Sequence, residues 1–253
     1  MLTNVNLKIP SSELVAIVGP NGAGKSTLFN LLIGTMRPLT GEIQIFGKSI
    51  DYQRYHNKIA YVPQYEQIDW DFPISVFDVV LGGRYGHMHR FLPPAWAGKK
   101  HTDIAKQALD SVNMLEFRHR AIGALSGGQK KRVFLARALA QNADLLLFDE
   151  PLVGVDRGSE QLIFQVLKKL RDNGKSIVMI THDITSAKKY ANYVVLINRT
   201  IIATGQPNEV LNYDSIQPLH DWMFTPTPVN TDQITSKLIT SISDKSGGCY
   251  DVD

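Results

Sequence analysis

The sequence predicts an α/β fold, with a mostly parallel sheet interrupted along the chain by a largely helical insertion. Three observations carry this. Residues 14–19, 144–148 and 176–181 hold short apolar runs without alternation, the pattern of strands buried on both faces. Between the last two runs, Ile163, Val166, Leu167 and Leu170 recur at helical spacing, which makes a βαβ unit. From about Tyr65 to Asn142 strand patterns vanish and helical spacing takes over.

Taken in order, residues 7–10 and 42–47 alternate in polarity and read as strands with one exposed face. Residues 14–19 form the first buried strand. A helix follows over Lys25–Ile33, stopped by Gly34. Residues 58–64 read as a short strand closed by Pro63. Residues 91–98 are proline-rich and predict a loop. Ile104, Ala105, Ala108, Leu109 and Val112 mark a helix over 102–112. Val133, Ala136, Leu139 and Ala140 mark another over 126–141. Residues 144–148 and 176–181 are buried strands, and the helix between them closes at Asp172-Asn173-Gly174. Residues 193–198 and 201–203 complete the core. Residues 225–253, rich in Ser, Thr and Asp with few large apolar side chains, predict a flexible tail, leaving 1–224 as the folded domain and about 65–142 as its insertion. No internal repeat is visible.

Composition bounds the function classes. The 253 residues are 43% hydrophobic and 20% charged, which suits one large globular domain or two small ones. A net charge of +3 without any long Lys/Arg run gives no nucleic-acid tract, and no nucleic-acid partner is expected. Cys249 is the single cysteine, so no intrachain disulfide can form. No apolar run is long enough to span a bilayer, and the start lacks a basic region followed by a long apolar stretch. The expectation is a soluble, cytoplasmic protein, with any membrane role coming through a partner.

Gly19-Pro20-Asn21-Gly22-Ala23-Gly24-Lys25-Ser26-Thr27 fits the pattern of a phosphate-binding loop, and its context, apolar strand before and helix after, is the required one. Glycines let backbone N–H groups approach phosphate oxygens, and the helix N-terminus adds its positive dipole end. Lys25 is expected on the β- and γ-phosphates, Ser26 on Mg²⁺, and Thr27 on the α-phosphate of bound ATP. The competing reading, a ligand-free strand-to-helix turn, is disfavoured by that context. Asp149 and Glu150 end an apolar strand as adjacent carboxylates. Beside a phosphate loop they read as a pair in which Asp149 holds Mg²⁺ through water and Glu150 orients the attacking water. Leu125-Ser126-Gly127-Gly128-Gln129 is a second glycine-rich element that opens a helix, which on its own is equally a plain N-capped helix.

These motifs, with Gln64, Asp156 and His182, occur in the order found in ATP-binding subunits of ABC transporters, and the chain resembles that family over roughly 7–209. The resemblance implies a P-loop (RecA-like) ATPase core with an antiparallel β subdomain and an inserted α-helical subdomain. It implies that Ser126, Gly127, Gly128 and Gln129 clamp the γ-phosphate held by a second ATP-binding subunit, in a homodimer. It further implies that His182 contacts the γ-phosphate, that Gln64 senses Mg²⁺ and links core to insertion, and that Asp156 lies in the loop at the dimer interface. Residues 61–73, 79–86 and 117–123 resemble, more narrowly, ATP-binding subunits of bacterial manganese, iron and zinc importers. That implies membrane permease subunits and an external metal-binding protein as partners. Trp70, Phe72 and Pro73 then either line the groove for a permease helix or pack the insertion. A soluble ABC ATPase of DNA repair or translation lacks support, since the chain has no long coiled coil and no second ATPase domain. A regulatory module that closes on ATP without turnover is opposed by the intact Asp149-Glu150 pair.

Two departures stand out. The family's subunits normally carry an upstream aromatic that stacks on adenine, but the segment before Leu7 is only Met1 to Asn6 and holds none. Either the start lies upstream of Met1, the favoured expectation, or adenine is held differently. Val153 stands where the family often has Ser or Thr, removing a hydroxyl from the interface loop. His87, His89, His101 and His119 have no spacing typical of a structural metal site and are expected to be solvated or interfacial.

Overall fold

The computed structural model describes residues 2–49, 57–64, 69–88 and 98–212. The expected loop over 91–97 and the tail over 225–253 lie outside these residues.

Strands β1 (Leu14–Val18), β4 (Ile59–Val62), β5 (Leu145–Asp149), β6 (Ser176–Thr181), β7 (Tyr193–Asn198) and β8 (Thr200–Gly205) form one six-stranded sheet in the order β4-β5-β6-β1-β7-β8. All neighbours run parallel except β7 and β8, which form an antiparallel hairpin at one edge. A separate two-residue pair, β2 (Gln44–Ile45) and β3 (Lys48–Ser49), closes through Phe46 and Gly47, both at positive φ (53° and 72°).

The unbroken apolar runs follow from burial on both faces. Leu14, Ala16 and Val18 of β1 join one apolar cluster, while Val15 and Ile17 join the other. The second cluster is closed by helix α1 (Lys25–Ile33) through Leu28 and Phe29, and α1 ends at Gly34 (φ 83°). The first cluster reaches from Leu146 and Phe148 of the sheet into helices α2 (Val76–Gly82), α3 (Lys99–Ser111) and α4 (Gly127–Gln141). The helical insertion therefore shares its apolar core with one face of the sheet. Helices α5 (Arg157–Asp172), α6 (Ile184–Tyr190) and α7 (Pro207–Val210) complete the chain as described.

Residues 7–10 make no strand, and 42–47 supply only Gln44–Ile45. The alternation there is real as burial: Leu7 and Ile9 are half-buried against the second cluster, with exposed neighbours. Among the described residues no strand partner runs beside them; periodicity reports which side chains face inward and not whether the backbone finds a ladder.

Register fixes the site. Val18 pairs with Thr181 and Asp149 pairs with Ile180, so Gly19, Glu150 and His182 leave the sheet side by side at the C-terminal ends of parallel strands. Ligands of open α/β sheets bind at such edges. Leu167 of α5 is fully buried against the sheet. Leu167→Ala is expected to cost about 2–5 kcal/mol, read as a lowered midpoint in urea unfolding.

Candidate active site

The loop after β1 folds around its own lysine. Lys25 Nζ donates to the carbonyls of Gly19 (2.8 Å) and Pro20 (2.9 Å), and only 7% of the residue is exposed. Burial lowers its pKa, while the nearby Glu150 and Asp149 carboxylates pull it back up. Asn21 and Gly22 are exposed, Ala23 is buried, and the Ala23 carbonyl accepts from Arg199 N–H at 2.8 Å. Gly19 is required by close approach, since a Cβ there would lie 2.1 Å from the Ile197 carbonyl oxygen. Gly24 is required twice over: its φ is 96°, and a Cβ would meet the Leu2 side chain at 2.4 Å. Ser26 and Thr27 open α1, with Ser26 exposed at the helix N-terminus, where anions bind.

Asp149 ends β5 and is almost fully buried. Burial raises its pKa and Glu150 raises it further, whereas Lys25 and Lys131 oppose both. A buried carboxylate and a buried ammonium, each shifted by burial toward its neutral form, mark a candidate functional site. Hard oxygen donors here, the Ser26 hydroxyl and the Asp149 carboxylate, suit Mg²⁺.

Glu150 follows in left-handed backbone (φ 49°), which costs a non-glycine residue about 1–2 kcal/mol. It is held there from several sides. Its N–H donates to the Ile180 carbonyl at 3.0 Å, and its Oε2 lies 2.8 Å from His182 Nδ1. Glu150 is buried, whereas His182 is 56% exposed at the side chain, so the pair presents an imidazole outward from an anchored carboxylate. Strain of this kind persists where surrounding contacts over-determine it.

Ser126 caps α4 in a full capping box: its hydroxyl accepts from Gln129 N–H (3.3 Å), and the Gln129 side chain accepts from Ser126 N–H (2.9 Å). Ser126 and Gly127 are exposed. Gly128 lies against Asp156, where a Cβ would sit 3.2 Å from Asp156 Oδ2. Asp156 itself caps α5, accepting from Ser159 N–H at 2.9 Å, and hydrogen bonds from Ser159 lower its pKa. Val153, in the same loop, is 41% exposed. Gln64 follows β4, half-buried, with its carbonyl accepting from Lys131 Nζ at 3.1 Å.

Trp70 has two sides. Lys130 Nζ sits 4.0 Å over its ring and Phe134 packs edge-on at 6.3 Å, so it does pack the insertion. It nevertheless remains partly exposed beside the exposed Phe72 and Pro73. The histidines divide differently. His87 Nε2 bonds the Gln141 carbonyl at 2.8 Å, and His101 Nδ1 accepts from Arg84 Nε at 3.3 Å. Arg84, buried, donates to the Ala140 carbonyl at 2.7 Å. Arg84 and His87 thus satisfy the last carbonyls of α4. His119 is exposed, His89 lies outside the described residues, and no metal-holding group of three or more His, Cys, Asp or Glu occurs among those described.

Sequence reading passed over Arg84 and Lys131. Arg84 sits in an ordinary turn after α2, and its partner carbonyl lies 56 residues away. Lys131 belongs to the run Lys130-Lys131-Arg132, which looks like a solvated helix face. It instead donates to the carbonyls of Gln64 and, at 3.5 Å, Glu150.

Residues 2–153 match the family model described as ABC transporter. The manganese transport system ATP-binding protein MntA of Synechocystis is 42% identical over 216 residues, covering 85% of this chain and 82% of that one. The zinc transport system ATP-binding protein TroB of Treponema pallidum is 45% identical over 81% of this chain and 75% of its own. The chelated iron transport system membrane protein YfeB of Yersinia pestis is 44% identical over 80% and 67%. Among solved structures, an ABC transporter assigned to the metal-chelate type, in an inward-facing conformation, superposes with a TM-score of 0.75 at 30% identity, covering 86% of this chain and 82% of that chain. A dimeric bacterial ABC transporter cassette gives 0.69 at 30% identity, covering 81% and 90%.

Proposed function

The chain belongs to the ABC transporter family, as an ATP-hydrolysing, ATP-binding subunit, and from that premise we propose that it powers import of a transition-metal ion, manganese, iron or zinc, through membrane permease subunits. The observation that carries the chemistry is the edge where the Gly19-to-Thr27 loop, Asp149, Glu150 and His182 emerge together. The observation that supports the cargo is kinship with manganese, zinc and chelated-iron systems over four fifths or more of the chain.

In this reading Lys25 exchanges the Gly19 and Pro20 carbonyls for the β- and γ-phosphate oxygens of ATP. Gly22, Gly24 and the first N–H groups of α1 surround the phosphates. Ser26 and Asp149 hold Mg²⁺, with Gln64 reaching in from the end of β4. Bound Mg²⁺ supplies neutralisation of the charge on the β- and γ-phosphate oxygens. Glu150 orients and polarises the attacking water, and His182, anchored on Glu150, faces the γ-phosphate. Ser126, Gly127, Gly128 and Gln129 serve the nucleotide of a second copy, and Asp156 lines the contact between copies. Closure of the two copies on ATP moves the insertion, with Trp70, Phe72 and Pro73 toward the permease. The protein then works at the cytoplasmic face of the membrane, and an external metal-binding protein delivers the ion.

Deleting the gene and following manganese, iron and zinc uptake separately tests the cargo. Uptake of at least one ion is expected to fall to background and to return with the wild-type chain but not with Glu150→Gln. Unchanged uptake of all three contradicts a metal cargo.

A further inference from the structure

Lys131 stands on α4 five positions past Ser126, and its half-buried side chain turns toward the strand ends of the sheet. There it donates to two carbonyls from separate strand ends, Gln64 after β4 (3.1 Å) and Glu150 after β5 (3.5 Å). Glu150 is thereby tied at its N–H by Ile180, at its carboxylate by His182, and at its carbonyl by Lys131 together with the Val153 N–H (3.4 Å). The neighbouring Lys130 points the other way, over the Trp70 ring of the insertion. One turn of α4 thus grips the insertion with one lysine and two strand ends of the sheet with the next.

We infer that Lys131 is a positioning residue of the hydrolytic reaction, fixing the backbone of Glu150 and of Gln64 to the helix whose N-terminus carries Ser126-Gly127-Gly128-Gln129. The inference rests on the roles proposed above for Glu150, Gln64 and that helix. Its physical content is mechanical and electrostatic. A rigid helix transmits displacement of its first turn to a side chain little more than a turn further on. An ammonium is a strong donor that accommodates two carbonyls at once. Glu150 sits in left-handed backbone, which a non-glycine residue keeps only while surrounding contacts hold it. Movement at the end of α4 that faces one nucleotide therefore reaches the carboxylate that serves the other.

The test compares Lys131→Met, which keeps the stem and removes the donor, with Lys131→Arg, which keeps donors and charge. ATP hydrolysis by the full-length protein is followed over a range of MgATP concentrations. Lys131→Met is expected to lower kcat at least about fivefold with KM for ATP within about twofold, because the phosphate loop is untouched. Lys131→Arg is expected to recover half or more of kcat. Backbone amides of the segments 62–64 and 149–151 are expected to exchange hydrogen faster in Lys131→Met than in wild type or Lys131→Arg. Wild-type kcat in Lys131→Met overturns the inference. So does a Lys131→Arg no better than Lys131→Met, and so does a Lys131→Met chain that no longer folds, which makes the lysine structural. A wild-type protein without MgATP hydrolysis is a different failure, that of the proposed function itself.

Discussion

Glu150→Gln lowers ATP hydrolysis by about 10²–10⁴-fold, the range for removing a positioned general base, while leaving ATP binding within a few-fold of wild type. The expectation follows from geometry. Glu150 is nearly isosteric with glutamine, so the backbone ties to Ile180 and Lys131 survive the change. The bond to His182 also survives, because an amide oxygen can accept from an imidazole N–H as a carboxylate does. What is lost is the negative charge proposed to polarise water. Single-turnover hydrolysis and nucleotide affinity, measured on the same preparation, separate the two effects. A variant that hydrolyses at the wild-type rate removes Glu150 from the reaction, and one that no longer binds ATP shows that the residue holds the ligand.

Lys25→Ala produces the second large effect, on affinity and not on the chemical step alone. Hydrogen bonds to charged groups are worth about 1.5–3 kcal/mol each, so loss of the lysine weakens MgATP binding by about 10- to 100-fold. The nucleotide-free protein also feels the change, because the Gly19 and Pro20 carbonyls lose the donor that now closes the loop around them. Equilibrium titration with a non-hydrolysable ATP analogue reads the affinity directly. Unchanged affinity would place the phosphates somewhere other than this loop.

Most of the fold and the local half of the site were legible in the sequence because they are written in contiguous residues. The run over Leu14–Val18, the glycine loop and the start of α1 occupy one unbroken stretch, and their order alone dictates strand, turn and helix. Asp149 and Glu150 are adjacent, and the strand before them is buried on both faces. The rest depends on pairings that no local pattern encodes. Residues 7–10 have the burial alternation of a strand without a ladder to join among the described residues. Lys131 reads as one charge among three, and only the fold brings it to a carbonyl 67 positions earlier in the chain. Arg84 and His87 close the end of α4 for the same reason, across 56 and 54 positions. The left-handed backbone of Glu150 is equally hidden, since glutamate carries no sequence signal for it.

The relation between the two glycine-rich elements is the centre of the account. Lys25 and Ser126 of one chain are proposed to serve different ATP molecules, so that two copies complete each other's sites. Hydrolysis by a mixture of two defective variants, Lys25→Ala and Ser126→Arg, tests this most directly. On that proposal each variant alone forms pairs in which both sites are broken. A mixed pair contains one site with an intact Lys25 from one chain and an intact Ser126 from the other. The account predicts that the mixture hydrolyses MgATP well above the sum of its components. A mixture no more active than the two variants measured separately contradicts it.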